Sequence, residues 1–200
     1  MNSLIKLPND PIPIRIPCGT TTGFSKSKLP WHRLGASNQI KGDAGVAVVV
    51  ACMKAAGVAV KKINGQGDIQ LPVGTAEVKY ARETITFRRN GISTQWRCNG
   101  IRPQETEWRY IYLVVEQGDH ADNSWVVLEF ERESMLEILD DGVISMYGQP
   151  GADDGDTTNV MELRAHENGS RQEITTYLKP RANNIILIPQ DLLQIDLVEQ

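Results

Sequence analysis

Hydrophobic and polar positions change period several times along this chain, and each change predicts an element. Residues 41–56, KGDAGVAVVVACMKAA, are small and apolar almost all round over a helix-length span, and Gly57 follows in the place of a C-terminal cap. The β-branched run Val48-Val49-Val50 also favours a strand, but length and alanine content decide for a buried helix over 41–56. Three short β-prone runs follow at 58–63, 68–71 and 76–81, separated by Gly, Asn or Pro turns, and they read as sheet. Residues 94–107 read as helical near their start, with Gly100 and Pro103 interrupting. RYIYLVVEQ from Arg109 and WVVLEFE from Trp125 are strong core strands, and 132–139 is a short helix. NNIILIPQDLLQIDLVE supplies a further strand and a short terminal helix. Residues 1–35, rich in Pro and poor in periodicity, read as an extended arm with loops.

Two hundred residues suit one domain, 1–200, in which 1–40 is the arm, 41–131 a core and 132–200 a C-terminal extension. The fold class is α/β in the α+β mixed sense, a central mixed β-sheet flanked by helices. The apolar run Val46–Met53 is far short of the ~20 residues that span a bilayer. The first residues, MNSLIKLPNDPIPIRIP, lack the apolar core of a secretory signal, so the expected location is cytoplasmic. Cys18, Cys52 and Cys98 are too widely and irregularly spaced for a disulfide framework or a zinc site, and read as reduced structural thiols.

The formal net charge of -4 conceals an asymmetry. Residues 1–110 carry 16 Lys and Arg against 7 Asp and Glu, whereas 111–200 carry 5 against 18. A basic first half is compatible with a polyanion groove, and equally with uneven solvation of two halves. The acidic stretch GQPGADDGDTTN at 148–159 lacks the spacing of a calcium loop and reads as a solvated loop.

The chemistry-bearing stretch is GDIQLPVGTAEVK, residues 67–79. On a strand Glu77 and Lys79 share a face while Val78 takes the other. A hairpin turn centred on Val73-Gly74 would set Asp68 opposite Lys79 and diagonal to Glu77, so that the three heads converge. Two carboxylates held together call for a cation between them, and oxygen-only ligands suit Mg²⁺ or Mn²⁺. Such an ion can polarise a phosphodiester and acidify a bound water, with Lys79 orienting that water or stabilising charge on phosphorus. The alternative is an ordinary surface hairpin with a solvated Glu77–Lys79 ion pair. Nucleophilic catalysis finds little support: His32, His120 and His166 are scattered, and no GxSxG, GxGxxG or GxxxxGK[ST] motif occurs.

The order of helix, strand, GDIQL, turn, AEVKYA, a Gln/Trp/Arg segment and the strand YIYLVV resembles the PD-(D/E)xK nuclease superfamily, in particular type II restriction endonucleases, over roughly residues 40–131. The resemblance implies a restriction-endonuclease-like sheet, Asp68 and Glu77 as metal ligands, the Val78 carbonyl as a further ligand and Lys79 as the catalytic lysine. Asp43 occupies the place of an additional helix-borne acid in some relatives, and suits a helix's first turn equally well. Gly67 stands where the family motif has a Pro.

After the E-x-K strand, Arg88, Arg89, Arg97, Arg102 and Arg109 gather with Trp96 and Trp108 between them, and Gln95 lies nearby. Arginine forks suit phosphates and guanine edges, so DNA contacts are expected here; packed aromatics and solvated arginines are the other reading. The function expected is a Mg²⁺-dependent endonuclease cutting double-stranded DNA at a short specific sequence as a homodimer. A structure-specific repair or recombination nuclease and a non-catalytic interaction module are the alternatives.

Overall fold

One long apolar helix among short β-prone runs can bury itself only against a sheet, and the computed structural model places it there. It describes residues 3–18, 38–63, 67–88, 91–99, 108–116, 125–140, 145–148, 159–164 and 177–199. The elements in chain order are β1 (Ile12–Cys18), α1 (Asn38–Ala55), β2 (Lys61–Lys62), β3 (Ile69–Leu71), β4 (Gly74–Arg88), β5 (Gly91–Asn99), β6 (Trp108–Glu116), β7 (Trp125–Glu131), α2 (Arg132–Asp140), β8 (Ser145–Gly148), β9 (Asn159–Arg164), the single turn α3 (Lys179–Arg181), β10 (Asn184–Ile188) and β11 (Leu193–Glu199).

The fold is mixed α+β. Among the described residues nine strands form one sheet along the path β10-β7-β6-β4-β5-β9-β8, with β3 joined to β4 and β2 to β3 off that path. β4 and β6 run parallel, and the other pairings in this sheet are antiparallel. β1 and β11 form a separate parallel pair, Ile12 beside Leu193. β4 is shared along its length: Gly74 to Ala76 pair with β3, Thr75 to Arg82 with β6 and Glu83 to Arg88 with β5.

The sheet has an apolar layer on each face, which is why YIYLVV and WVVLEF are nearly continuous hydrophobic runs instead of alternating ones. On one face Ala76, Val78, Tyr112, Val114, Trp125 and Val127 meet Val48, Val49, Cys52 and Met53 of α1. On the other, Ile111, Leu113, Val126, Leu128 and Phe130 meet Met135 and Ile138 of α2. α1 sits close because of Gly45: a Cβ there would lie 3.3 Å from the Cβ of Tyr80. Each fully buried aliphatic side chain in these layers stabilises the fold by about 1.5–3 kcal/mol.

α1 ends as its sequence predicts. Gly57, at φ 74°, donates its N–H to the Lys54 carbonyl at 2.9 Å, and Val58 donates to the Met53 carbonyl at 2.9 Å. This is the Schellman pattern, which a left-handed glycine closes without Cβ strain. The helix begins at Asn38, three residues before the expected Lys41.

Three expectations are corrected. Residues 94–99 are not helical but belong to β5, whose Glu83↔Trp96 to Arg88↔Gly91 ladder continues β4 as a hairpin. The last segment is a 3-10 turn at Gln190–Leu192 followed by β11, with no terminal α-helix among the described residues. The N-terminal arm contains β1, and its first residues are packed down: Ile5 is buried, the Lys6 N–H donates to the Cys52 carbonyl at 3.1 Å, and Asn184 donates to the Ile5 carbonyl at 3.1 Å. For β1, β11 and the first residues the partner is distant in sequence, so local patterning carried no sign of it; β5 is held by the adjacent β4 on one edge and by the more distant β9 on the other. Residues 149–158 of the acidic loop lie outside the described residues.

Candidate active site

The β3–β4 hairpin sets the geometry. Leu71 pairs with Gly74 and Ile69 with Ala76, so the connecting loop is the two residues Pro72 and Val73. This register corrects the turn centre expected from sequence by one position. Continued outward it sets Asp68 across from Glu77, not Lys79. Cross-strand partners share a face, so the two carboxyl residues stand on the same side of the hairpin. Asp68 closes the ladder with both of its ends: its N–H donates to the Ala76 carbonyl at 3.0 Å, and its Oδ2 accepts the Val78 N–H at 2.7 Å.

Gly67 makes that closure possible. Its φ is 80°, and a Cβ at this position would lie 3.1 Å from the Ala76 carbonyl oxygen. Proline, fixed near φ ≈ −65°, cannot take this conformation. The hairpin backbone therefore excludes proline at this position.

Ala76 and Val78 point into the layer beneath α1, so Glu77 and Lys79 project from the opposite face. There they pair with each other, the Lys79 Nζ on Glu77 Oε1, with side chains 17% and 15% exposed. Their neighbours in register on β6 are Ile111 and Leu113, both fully buried. Apolar surroundings of this kind strengthen an ion pair and make an unpartnered charge costly. In a strand one residue's N–H and C=O point to the same edge, so the Val78 carbonyl lies on the edge that carries the Asp68 carboxylate. Asp68 and the Val78 carbonyl lie on one strand edge and Glu77 on the adjoining face, and carboxylate and carbonyl oxygens are the donor types that suit a hard divalent ion.

Asp43 is placed elsewhere. It lies in the second turn of α1, not the first, and is half-exposed; it accepts from Lys62 of β2 at 2.5 Å and from Gln39 at 3.4 Å. α1 covers the face opposite to Glu77 and Lys79, so the structure does not join Asp43 to that pair. Among the described residues no group of three or more His, Cys, Asp or Glu side chains gathers as a metal cluster. Arg88 ends β4, and Gln95 and Arg97 lie on β5, where Gln95 registers with Thr84 and Arg97 with Glu162 of β9. Arg89 and Arg102 lie outside the described residues.

Two buried polar pairs escaped the sequence reading. The Tyr80 hydroxyl donates to Glu116, and Tyr80 meets Trp125 edge-on at 5.5 Å between ring centroids. The Tyr112 hydroxyl donates to Glu129 at 3.3 Å. Glu116 and Glu129 are 2% and 3% exposed, and burial raises the Glu129 carboxyl above its usual range. Alternation along β4, β6 and β7 puts all four on the α1 face. That register was the signal available, and only the strand pairing turns it into contacts.

No family model matches the chain, and neither a curated protein nor a solved structure matches it significantly. No helix among the described residues is long and apolar enough to cross a membrane.

Proposed function

We propose that this chain is a Mg²⁺-dependent endodeoxyribonuclease that hydrolyses phosphodiester bonds of double-stranded DNA at a short specific sequence, as type II restriction enzymes do, acting in the cytoplasm as a homodimer. One observation carries the reading: Asp68 and Glu77 face each other across a two-residue turn, with Lys79 on the same face and the Val78 carbonyl on the adjoining edge. The element order supports it as well, since helix, strand, GDIQL, turn, the E-x-K strand, a Gln/Trp/Arg segment and the strand YIYLVV follow one another as in the resemblance.

Asp68, Glu77 and the Val78 carbonyl would hold Mg²⁺, or Mn²⁺ in its place. The ion supplies Lewis acidity toward a phosphodiester and toward a coordinated water. Lys79 holds its ammonium beside Glu77, where it balances a carboxylate in the resting protein and would stabilise negative charge growing on phosphorus. Ile111 and Leu113 limit water around that ammonium. Arg88, Arg89, Gln95, Arg97 and Arg102 are assigned to DNA contact.

A second reading has its own support. The Glu77–Lys79 pair and the Asp68–Val78 bond are complete within the protein, as they would be in the ion-paired hairpin of a non-catalytic interaction module. Incubation of wild type and Lys79→Ala with unmethylated phage DNA, in Mg²⁺ or EDTA, separates the two. Discrete fragments that require Mg²⁺ and vanish in the variant establish the nuclease; no cleavage by wild type rejects it. Cutting confined to branched DNA would move the assignment to a repair or recombination nuclease.

A further inference from the structure

We propose that β10 is the dimerisation strand of the protein: two copies pair antiparallel along Asn184–Ile188 about a two-fold axis at Ile186, so that their sheets become one. This deepens the homodimer of the nuclease reading and rests on that part of it.

β10 ends the sheet path and pairs with β7 along one edge. Two bonds at the start of that ladder show which backbone groups the pairing uses. The Glu129 carbonyl accepts the Asn183 N–H at 2.8 Å, and the Glu131 N–H donates to Asn183 Oδ1 at 2.7 Å. Glu129 and Glu131 therefore direct their backbone groups toward β10, and by alternation Val127 and Trp125 do the same. Their register partners Asn184, Ile186 and Ile188 face back to β7. The N–H and C=O of Ile185 and Leu187 are left on the outer edge, where no described residue pairs with them.

An edge of this kind is a template for another strand, and sheets that stay alone guard it with charge, proline or a very short strand. β2, at an edge of the same sheet, is guarded in this way, being two exposed lysines. β10 is not. NIILI holds neither a charge nor a proline, and Ile185 and Leu187, on the face away from α1, are 40% and 55% exposed.

The strand fits a second copy of itself. With Ile186 opposite its own counterpart, Ile185 of each copy stands opposite Leu187 of the other, and these are the residues whose backbone groups point outward. Each such pair exchanges both of its N–H···O bonds and joins two exposed apolar side chains on one face. Moving the register by one residue would set Leu187 against Ile186, whose backbone groups are already turned to β7. The flanks match in charge as well. Lys179 lies in the turn before β10 and exposed Asp191 in the turn after it, so antiparallel pairing carries the basic end of one copy toward the acidic end of the other.

The test is sedimentation velocity of the full chain over a range of micromolar concentrations, in which wild type should be a dimer. Ile185→Lys/Leu187→Lys sets like charges opposite each other across the axis and should be monomeric with an unchanged melting temperature. Leu187→Lys alone takes its place if the double variant melts early. Ile185→Lys/Leu187→Glu removes the same apolar surface but sets Lys against Glu in both pairs, and should recover a dimer that salt weakens. Amide exchange read by NMR should find Ile185 and Leu187 protected in wild type and open in the Lys/Lys variant. A dimer that the Lys/Lys variant retains rejects β10 and leaves the homodimer to another surface. A Lys/Glu variant no more dimeric than the Lys/Lys one rejects pairing about Ile186. A monomeric wild type rejects the interface and the homodimer together: protected amides would then show that the chain covers its own edge, and open ones that the strand serves a different protein. A dimer that cuts no DNA rejects the nuclease chemistry and keeps the interface.

Discussion

Asp68 faces Glu77 across the Pro72-Val73 turn while its own carboxylate accepts the Val78 N–H at 2.7 Å. One side chain thus closes the hairpin and lines the proposed ion site. The two roles separate by substitution, because Asn keeps an acceptor oxygen and loses the charge, whereas Ala loses both. Asp68→Asn should keep its melting temperature within a few degrees and abolish Mg²⁺-dependent cleavage. Asp68→Ala should also leave the Val78 N–H without this acceptor, at a cost of about 1–3 kcal/mol. Thermal unfolding beside a cleavage assay reads both; equal melting of the two variants would refute the closure role.

Gly67 should tolerate no side chain. With φ at 80° and only 3.1 Å between an added Cβ and the Ala76 oxygen, Gly67→Ala strains the backbone and crowds the ladder together. A loss of about 1–3 kcal/mol is expected. For a domain of this length each kcal/mol lowers the melting temperature by roughly 2–4 °C. A Gly67→Ala protein as stable as wild type would contradict the positive-φ hairpin.

Glu129 should make stability depend on pH in a defined direction. Burial raises its carboxyl above the ordinary value of 4.5, with the Tyr112 hydroxyl and the Leu4 N–H partly opposing the rise. A raised acid binds its proton more tightly in the folded state. Its contribution is fully present below 4.5, declines as pH rises from there toward the folded value, and is gone above it. Glu129→Gln, neutral throughout, should lose this component and be favoured relative to wild type above that window. Chemical denaturation of both proteins across mildly acidic and neutral pH checks it, and a pH-independent difference between them would count against the assignment. Tyr112→Phe should destabilise by about 1–3 kcal/mol by removing the hydroxyl donor.

Cys52 should be inert in the folded protein. It is fully buried beneath the sheet, and burial pushes its thiol up to about 12. Iodoacetamide at mildly alkaline pH, read by peptide mass mapping, should leave Cys52 unmodified under native conditions and label it fully in denaturant. Rapid native labelling would show that α1 leaves the sheet readily.

Much of the fold was legible because its signals are local. β7, the Schellman end of α1 and the start of α2 fall where the residues predict them, since apolar runs, a terminal glycine and a helical period each act within a few positions. β5 was missed because Gln95 and Arg97 favour helix while Trp96 favours strand, and the β4 and β9 edges on either side decide their conformation. β1 and β11 were missed for a related reason: each is a strand only because the other, far away in sequence, pairs with it.

The candidate site shows the same division at finer scale. By itself the sequence determined which side chains were available: Glu77 and Lys79 two apart in a β-prone run, hence on one face, with an acid upstream beyond a turn. Tertiary structure decided how they meet. The turn centre shifted by one residue, which moves every cross-strand partner by two, so that Glu77 instead of Lys79 stands across from Asp68 on the same face. α1 packed on the far face and took Asp43 to Lys62. Spacing along a chain determines which side of its own strand a residue takes; pairing between strands, fixed by register and by packing from both faces, determines what stands opposite.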